Sequence, residues 1–165
     1  MRAVSNSSVL IALSSIGKLS LLPLRFSKRI VIPQAVWHEV VETGIGRTGA
    51  AEVLAGLNHW LTVQQVVNKP LVLLLQQNLD KGEAEAIALF SEQPLEALLL
   101  DEKEARKVAQ TLNLPVLGTL GLLIWAKQQG IISSLRDQLN ALQTVGKFRL
   151  GRQVYEEALR RVGEL

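Results

Sequence analysis

With no cysteine in its 165 residues, this chain has fifteen carboxylates and two imidazoles as its main groups for acid–base or metal chemistry. Thiolate nucleophiles, disulfides and thiolate zinc sites are thereby excluded together. His38 and His59 alone make a poor zinc set, and no second histidine lies four residues after His38, so His38-Glu39 does not begin a zinc-protease motif. Any metal would be a hard cation held by oxygen: magnesium, manganese or calcium. Phosphate-binding glycine loops, the dinucleotide fingerprint and the serine-hydrolase elbow are all missing. Eight of the fifteen acids fall between Asp80 and Glu104, with basic residues gathered at Arg25/Lys28/Arg29, Lys103/Arg106/Lys107 and Lys147/Arg149/Arg152. An acidic centre with basic flanks suits a metal site beside a phosphate backbone, and a solvated mixture of charges has the same pattern.

Four positions stand out. Asp101 ends the apolar run Ala97-Leu98-Leu99-Leu100, where a buried strand should stop. It can point into a crevice as a ligand, or cap the charged helix expected over Glu102–Leu112, with Glu104 completing a capping box. Glu83 follows Asp80 by three, again a capping-box spacing, while Glu85 falls on another helix face and reads as solvated. Glu39 sits among Val36, Trp37, Val40 and Val41, closer to apolar neighbours than a surface acid prefers. Asn6 closes the first short apolar run, Ala3 to Ser5. From position alone, structural and ligand roles stand level for Asp101.

The elements that must place these residues alternate. Strands are expected at Ala3–Ser5, Arg29–Ile32, Leu61–Val66, Ala97–Leu100 and Pro115–Gly118. Helices are expected over Val9–Ile16 with Ser7 and Ser8 as capping residues, then Val36–Gly44, Ala50–Leu57, Pro70–Leu79, Gly82–Ser91, Glu102–Leu112 and Leu120–Gln129. Leu135–Leu142 and Arg152–Arg161 add amphipathic helices at the end. This order predicts a three-layer α/β/α sandwich around a mostly parallel sheet, in one domain over 1–165, with a core over about 1–130 and a C-terminal helical extension over about 131–165. Ligands of such sheets bind beyond the carboxyl ends of the strands, which brings Asn6 and Asp101 to one crevice. The net charge of +3 is compatible with a polyanionic partner. Leu114–Ala126 is too short to span a bilayer, and Val9–Ile16 is not followed by a small-residue cleavage site, so a cytoplasmic address without membrane association is expected.

Val4-Ser5-Asn6-Ser7-Ser8-Val9-Leu10-Ile11, Ile32-Pro33 with Val36-Trp37-His38-Glu39-Val40, Leu79-Asp80-Lys81-Gly82-Glu83-Ala84-Glu85-Ala86-Ile87-Ala88-Leu89 and Leu98-Leu99-Leu100-Asp101-Glu102 together resemble a PIN domain. Gly118-Thr119-Leu120-Gly121, Phe148-Arg149-Leu150 and Tyr155-Glu156-Glu157 resemble an uncharacterised branch of that family, akin to VapC-type toxin nucleases. The resemblance runs the length of the chain. It implies that Asn6, Glu39, Glu83 and Asp101 are the catalytic and metal-ligating positions, with Mg2+ or Mn2+ as cofactor and RNA phosphodiesters as substrate. It also implies a small antitoxin-like partner protein and homodimerisation. Thr119 or Ser8 would orient a water or cap a helix. The family's usual first acid is aspartate, and Asn6 brings no charge. Two readings therefore stand: a metal-dependent endoribonuclease of toxin–antitoxin type, or a weakened scaffold that binds nucleic acid or a partner. A third, purely structural role would use the two C-terminal helices.

Overall fold

A computed structural model describes residues 2–27 and 29–165; Met1 and Lys28, the latter from a basic cluster above, lie outside them. The β-branched and leucine runs form five short strands: β1 (Ala3–Ser5), β2 (Ile30–Pro33), β3 (Leu61–Gln64), β4 (Ala97–Leu99) and β5 (Val116–Leu117). All pair in parallel, in the order β3-β2-β1-β4-β5. The helices are α1 (Ser7–Ser15), α2 (Leu21–Phe26), α3 (Gln34–Trp37), α4 (Ala50–Gly56), α5 (Lys69–Leu75), α6 (Lys81–Glu92), α7 (Lys103–Thr111), α8 (Thr119–Gln128), α9 (Leu135–Thr144) and α10 (Arg152–Arg161).

Alternate strand residues feed opposite cores, as the period of two requires. Ala3, Ile30, Ile32, Leu61, Ala97 and Leu99 join one apolar cluster with α1, α2 and α8, whereas Val4, Val31, Leu98 and Leu100 join another under α5, α6 and α7. Both faces are covered, which gives the three layers. Ala84, Ala86 and Ala88 are fully buried in α6, so that helix can lie close on the sheet. The C-terminal helices α9 and α10 supply Leu135, Leu139, Leu142, Ala158 and Leu159 to the first cluster and share its core.

The strand order reverses between β1 and β4. Their register pairs Ser5 with Leu99, and the Asn6 backbone N–H donates to the Leu99 carbonyl at 3.1 Å. The loops leaving these strands therefore part company at the switch point of the sheet, where a crevice opens.

Several local expectations are corrected. The cap of α1 is Asn6, not Ser7 or Ser8, since the Asn6 Oδ1 accepts the Val9 N–H. The single helix expected over Val36–Gly44 is α3 followed by a π-helical turn at His38–Glu42. Helix α2 is absent from the helices expected above; its Pro23 sits in the first turn, where proline needs no helical N–H partner. Arg25 is no free cation either: its guanidinium lies over the rings of Phe26 and Trp125, 5.4 and 5.3 Å from their centroids.

Candidate active site

The crevice at the switch point is built from the residues that follow β1 and β4. Asn6 is 2% exposed, and its amide spans the gap between the two loops. Its oxygen takes the Val9 N–H at 3.2 Å, which fixes the amide orientation and turns Nδ2 outward to donate to Glu102 Oε2 at 2.8 Å. The Ser8 hydroxyl donates to Glu102 Oε1. Both oxygens of Glu102 are thus steered by the start of α1.

Glu83 enters from the first turn of α6 and is only 8% exposed. The capping box read from its spacing is present: Glu83 N–H donates to Asp80 Oδ1 at 2.8 Å, and Asp80 N–H donates to Glu83 Oε1 at 3.1 Å. Burial pushes the Glu83 carboxyl up from 4.5 to about 7, helped by the charges of Asp80 and Glu102 and opposed by the hydrogen bond from the Asp80 backbone. Glu102 is also raised, by burial first and by the charges of Asp101 and Asp80, against the Asn6 hydrogen bond that lowers it. Glu39 reaches the same helix terminus from the π-helical turn. A Cβ built on Gly82 would meet Glu39 Oε2 at 3.5 Å and Asp80 Oδ1 at 3.6 Å, so both carboxylates border that glycine. Turns of this kind often re-aim side chains at functional sites.

Asp101 is placed differently. Its Oδ1 accepts the Thr119 N–H at 2.8 Å and its Oδ2 accepts the Thr119 hydroxyl at 2.6 Å. It therefore caps α8, not the α7 helix that directly follows it, whose N-cap Glu102 makes no side-chain capping bond. Burial raises the Asp101 carboxyl, while the two Thr119 bonds and the Arg106 charge pull it down. A Cβ on Gly118 would come 2.6 Å from Arg106 Nη1 and 2.8 Å from Asp101 Oδ1, so glycine at 118 is what lets the three groups meet. Both acids are held at both oxygens; what separates them is their surroundings. Glu102 is felt electrostatically at Glu83; Asp101 is held by Thr119 and Arg106, and its charge is felt at Glu102.

The structure thus brings Asn6, Glu83 and Glu102 together, sets Asp80 and Glu39 at the border, and turns Asp101 toward α8. Glu85 is occupied elsewhere, accepting the Ala35 N–H at 3.0 Å. Glu102 is the residue that sequence reasoning passed over. Its only sequence signal is its place beside Asp101. None of the ion pairs among the described residues involves Asp80, Glu83, Asp101 or Glu102. Among those residues no three acids or histidines close around a common point as a complete metal cage. An open pair of carboxylates fits magnesium or manganese, which keep several waters and need only one or two acids. The raised proton affinity of Glu83 and Glu102 comes first from burial and then from the neighbouring carboxylates, whose repulsion a cation would relieve.

An all-parallel α/β/α sandwich with carboxylates gathered at its switch point is a PIN-like architecture. The family described as a PIN domain matches residues 2–164, and the chain belongs to the PIN-domain family, a nuclease fold. No curated protein and no solved structure matches the chain. Among the described residues no helix is long and apolar enough to cross a membrane.

Proposed function

We propose that this PIN-domain protein is a metal-dependent endoribonuclease of toxin–antitoxin type that hydrolyses RNA phosphodiester bonds. The observation that carries the reading is the approach of Glu102 to Glu83, with Asp80 behind them, at the switch point, where burial first and the neighbouring carboxylates second push the Glu83 carboxyl up to about 7. Glu83 and Glu102 would hold Mg2+ or Mn2+, with Glu39 and Asp80 adding negative charge at the border. A bound divalent cation would neutralise charge on the phosphate and make a water more acidic.

The chain's own residues then have distinct tasks. Asn6 and Ser8 fix the rotamer of Glu102, so the carboxylate arrives oriented instead of searching. The capping box fixes Glu83 in the same sense. Asp101 is a positioning residue: by capping α8 it ties the β4 and β5 loops together and sets the backbone that presents Glu102. A small antitoxin-like partner protein, a homodimer and a cytoplasmic address are proposed with this reading, from the family resemblance.

A second reading keeps the fold but not the cleavage. Both polar atoms of the Asn6 amide are engaged inside the protein, and the residue carries no charge. A scaffold that binds nucleic acid or a partner would retain this geometry. Incubation of the purified protein with a pool of single-stranded RNA decides between them. Cleavage with manganese or magnesium that stops on chelation is expected of the nuclease. Salt-dependent binding with no cleavage at any metal concentration would overturn it in favour of the scaffold.

A further inference from the structure

Beside the acid crevice, and sharing Glu39, Asp80 and Gly82 with it, runs a groove of about 1190 Å³. One wall is α3 with the π-helical turn, the other is the C-terminal end of β3, and the start of α6 lies between them. Trp37, half-buried against the core, lines this space. Three of its acids are already engaged: Glu85 accepts from the Ala35 backbone, Glu42 lies 3.1 Å from His38 Nδ1, and Asp80 caps α6. By contrast, the exposed side chains of Gln34, Asn58, Thr62, Lys69 and Lys81 line the groove and make no hydrogen bond or ion pair among the described residues.

The pattern selects a ligand. An aromatic ring with unengaged amides and a hydroxyl suits a flat heterocycle with both donors and acceptors on its edge. Four acids against two lysines disfavour a phosphate in the acidic part of the groove, so the anionic part of the ligand belongs at Lys69 and Lys81, where the groove meets a smaller cavity that both lysines also line. A nucleotide has this division. Stacked, paired bases cannot present a free face and edge, so the nucleotide must be unpaired.

We propose that this groove is a nucleobase subsite for the nucleotide adjoining the bond to be cut. Trp37 stacks on the base, Gln34, Asn58 and Thr62 meet its edge, and Lys69 and Lys81 take the neighbouring phosphates. The identity of the polynucleotide rests on the nuclease reading above; the subsite rests on the groove.

The test measures binding without cleavage, with a short fluorescein-labelled single-stranded RNA titrated with the full chain in chelator. Trp37→Ala should weaken binding roughly tenfold to a hundredfold, and Trp37→Phe should keep most of it. Because Trp37 also touches the core, a second variant changes only exposed positions. Lys69→Ala with Lys81→Ala should lower the slope of log affinity against log salt by about 1.4. A fully paired duplex of the same sequence should bind more weakly than the single strand. Wild-type affinity in both variants, or equal binding of duplex and single strand, overturns the subsite. If those results accompany metal-dependent cleavage, the nuclease reading survives alone. If the variants lose binding while the wild-type chain cuts nothing with manganese, the subsite stands and the nuclease reading falls.

Discussion

Replacing Glu83 by glutamine asks how much the crevice costs the fold when it is charged. The Glu83 carboxyl moves from 4.5 in the unfolded chain to about 7 in the folded one, driven by burial and by the charges of Asp80 and Glu102. Between these two values the folded state holds the proton that the unfolded state has released. Stability is therefore full below pH 4.5 and is lost as pH rises through about 7. At about 1.4 kcal/mol for each tenfold change in proton binding, the loss is on the order of 3 kcal/mol. For a chain of this size that is roughly 6–12 °C in melting temperature. Glutamine mimics the protonated acid, and its Oε1 can still accept the Asp80 N–H, so Glu83→Gln should flatten this part of the profile. Without metal the variant should be the more stable protein at about pH 8. Manganese should recover stability in the wild type and do little for the variant. Urea or thermal melts across this range, in chelator and then with manganese, read all of this. A flat wild-type profile, or an unchanged slope in Glu83→Gln, would refute the electrostatic account of the crevice.

Gly118→Ala should cost about 1–3 kcal/mol in a denaturant melt, because the new methyl group meets Arg106 and Asp101 at 2.6 and 2.8 Å and the Leu100 carbonyl at 3.2 Å; a neutral outcome would mean that these groups separate without cost. Asn6→Asp should keep the α1 cap, since aspartate caps as well as asparagine. It exchanges the donor to Glu102 for a repelling charge, so melts in chelator should show lower stability near neutral pH, while calorimetry should show tighter manganese binding. A destabilised Asn6→Asp protein that binds no manganese would favour the scaffold.

The sequence carried the layers well and the last turn of the site poorly. The apolar runs Arg29–Ile32 and Ala97–Leu100 declared strands, the second buried on both faces, and the Asp80/Glu83 spacing declared a capping box that the structure contains. A π-helical turn has no signature in a helical pattern of period 3.6, so the bend that carries Glu39 could not be read. Helix α2 was hidden by Pro23, which sits in its first turn, where proline is tolerated. Asp101 and Glu102 are neighbours, and which of them faces Glu83 depends on the direction of the backbone as it leaves β4. That direction is set by Thr119 and Asn6, each far away in the chain. Local pattern holds no record of such contacts.

The central claim is that Glu102, together with Glu83, holds a catalytic metal, and that Asp101 braces the loop beside it. Calorimetric titration of manganese into the wild-type chain, Glu102→Gln and Asp101→Asn, with cleavage of the same RNA pool followed in parallel, tests it most directly. Glutamine keeps the length and the Asn6-facing oxygen of Glu102 but removes its charge, so binding and cleavage should both be lost. Asparagine can still accept the Thr119 N–H, so Asp101→Asn should bind manganese nearly as the wild type does, with a small loss of stability. Metal binding that survives Glu102→Gln and disappears in Asp101→Asn would contradict the account and place the ligand at Asp101 instead.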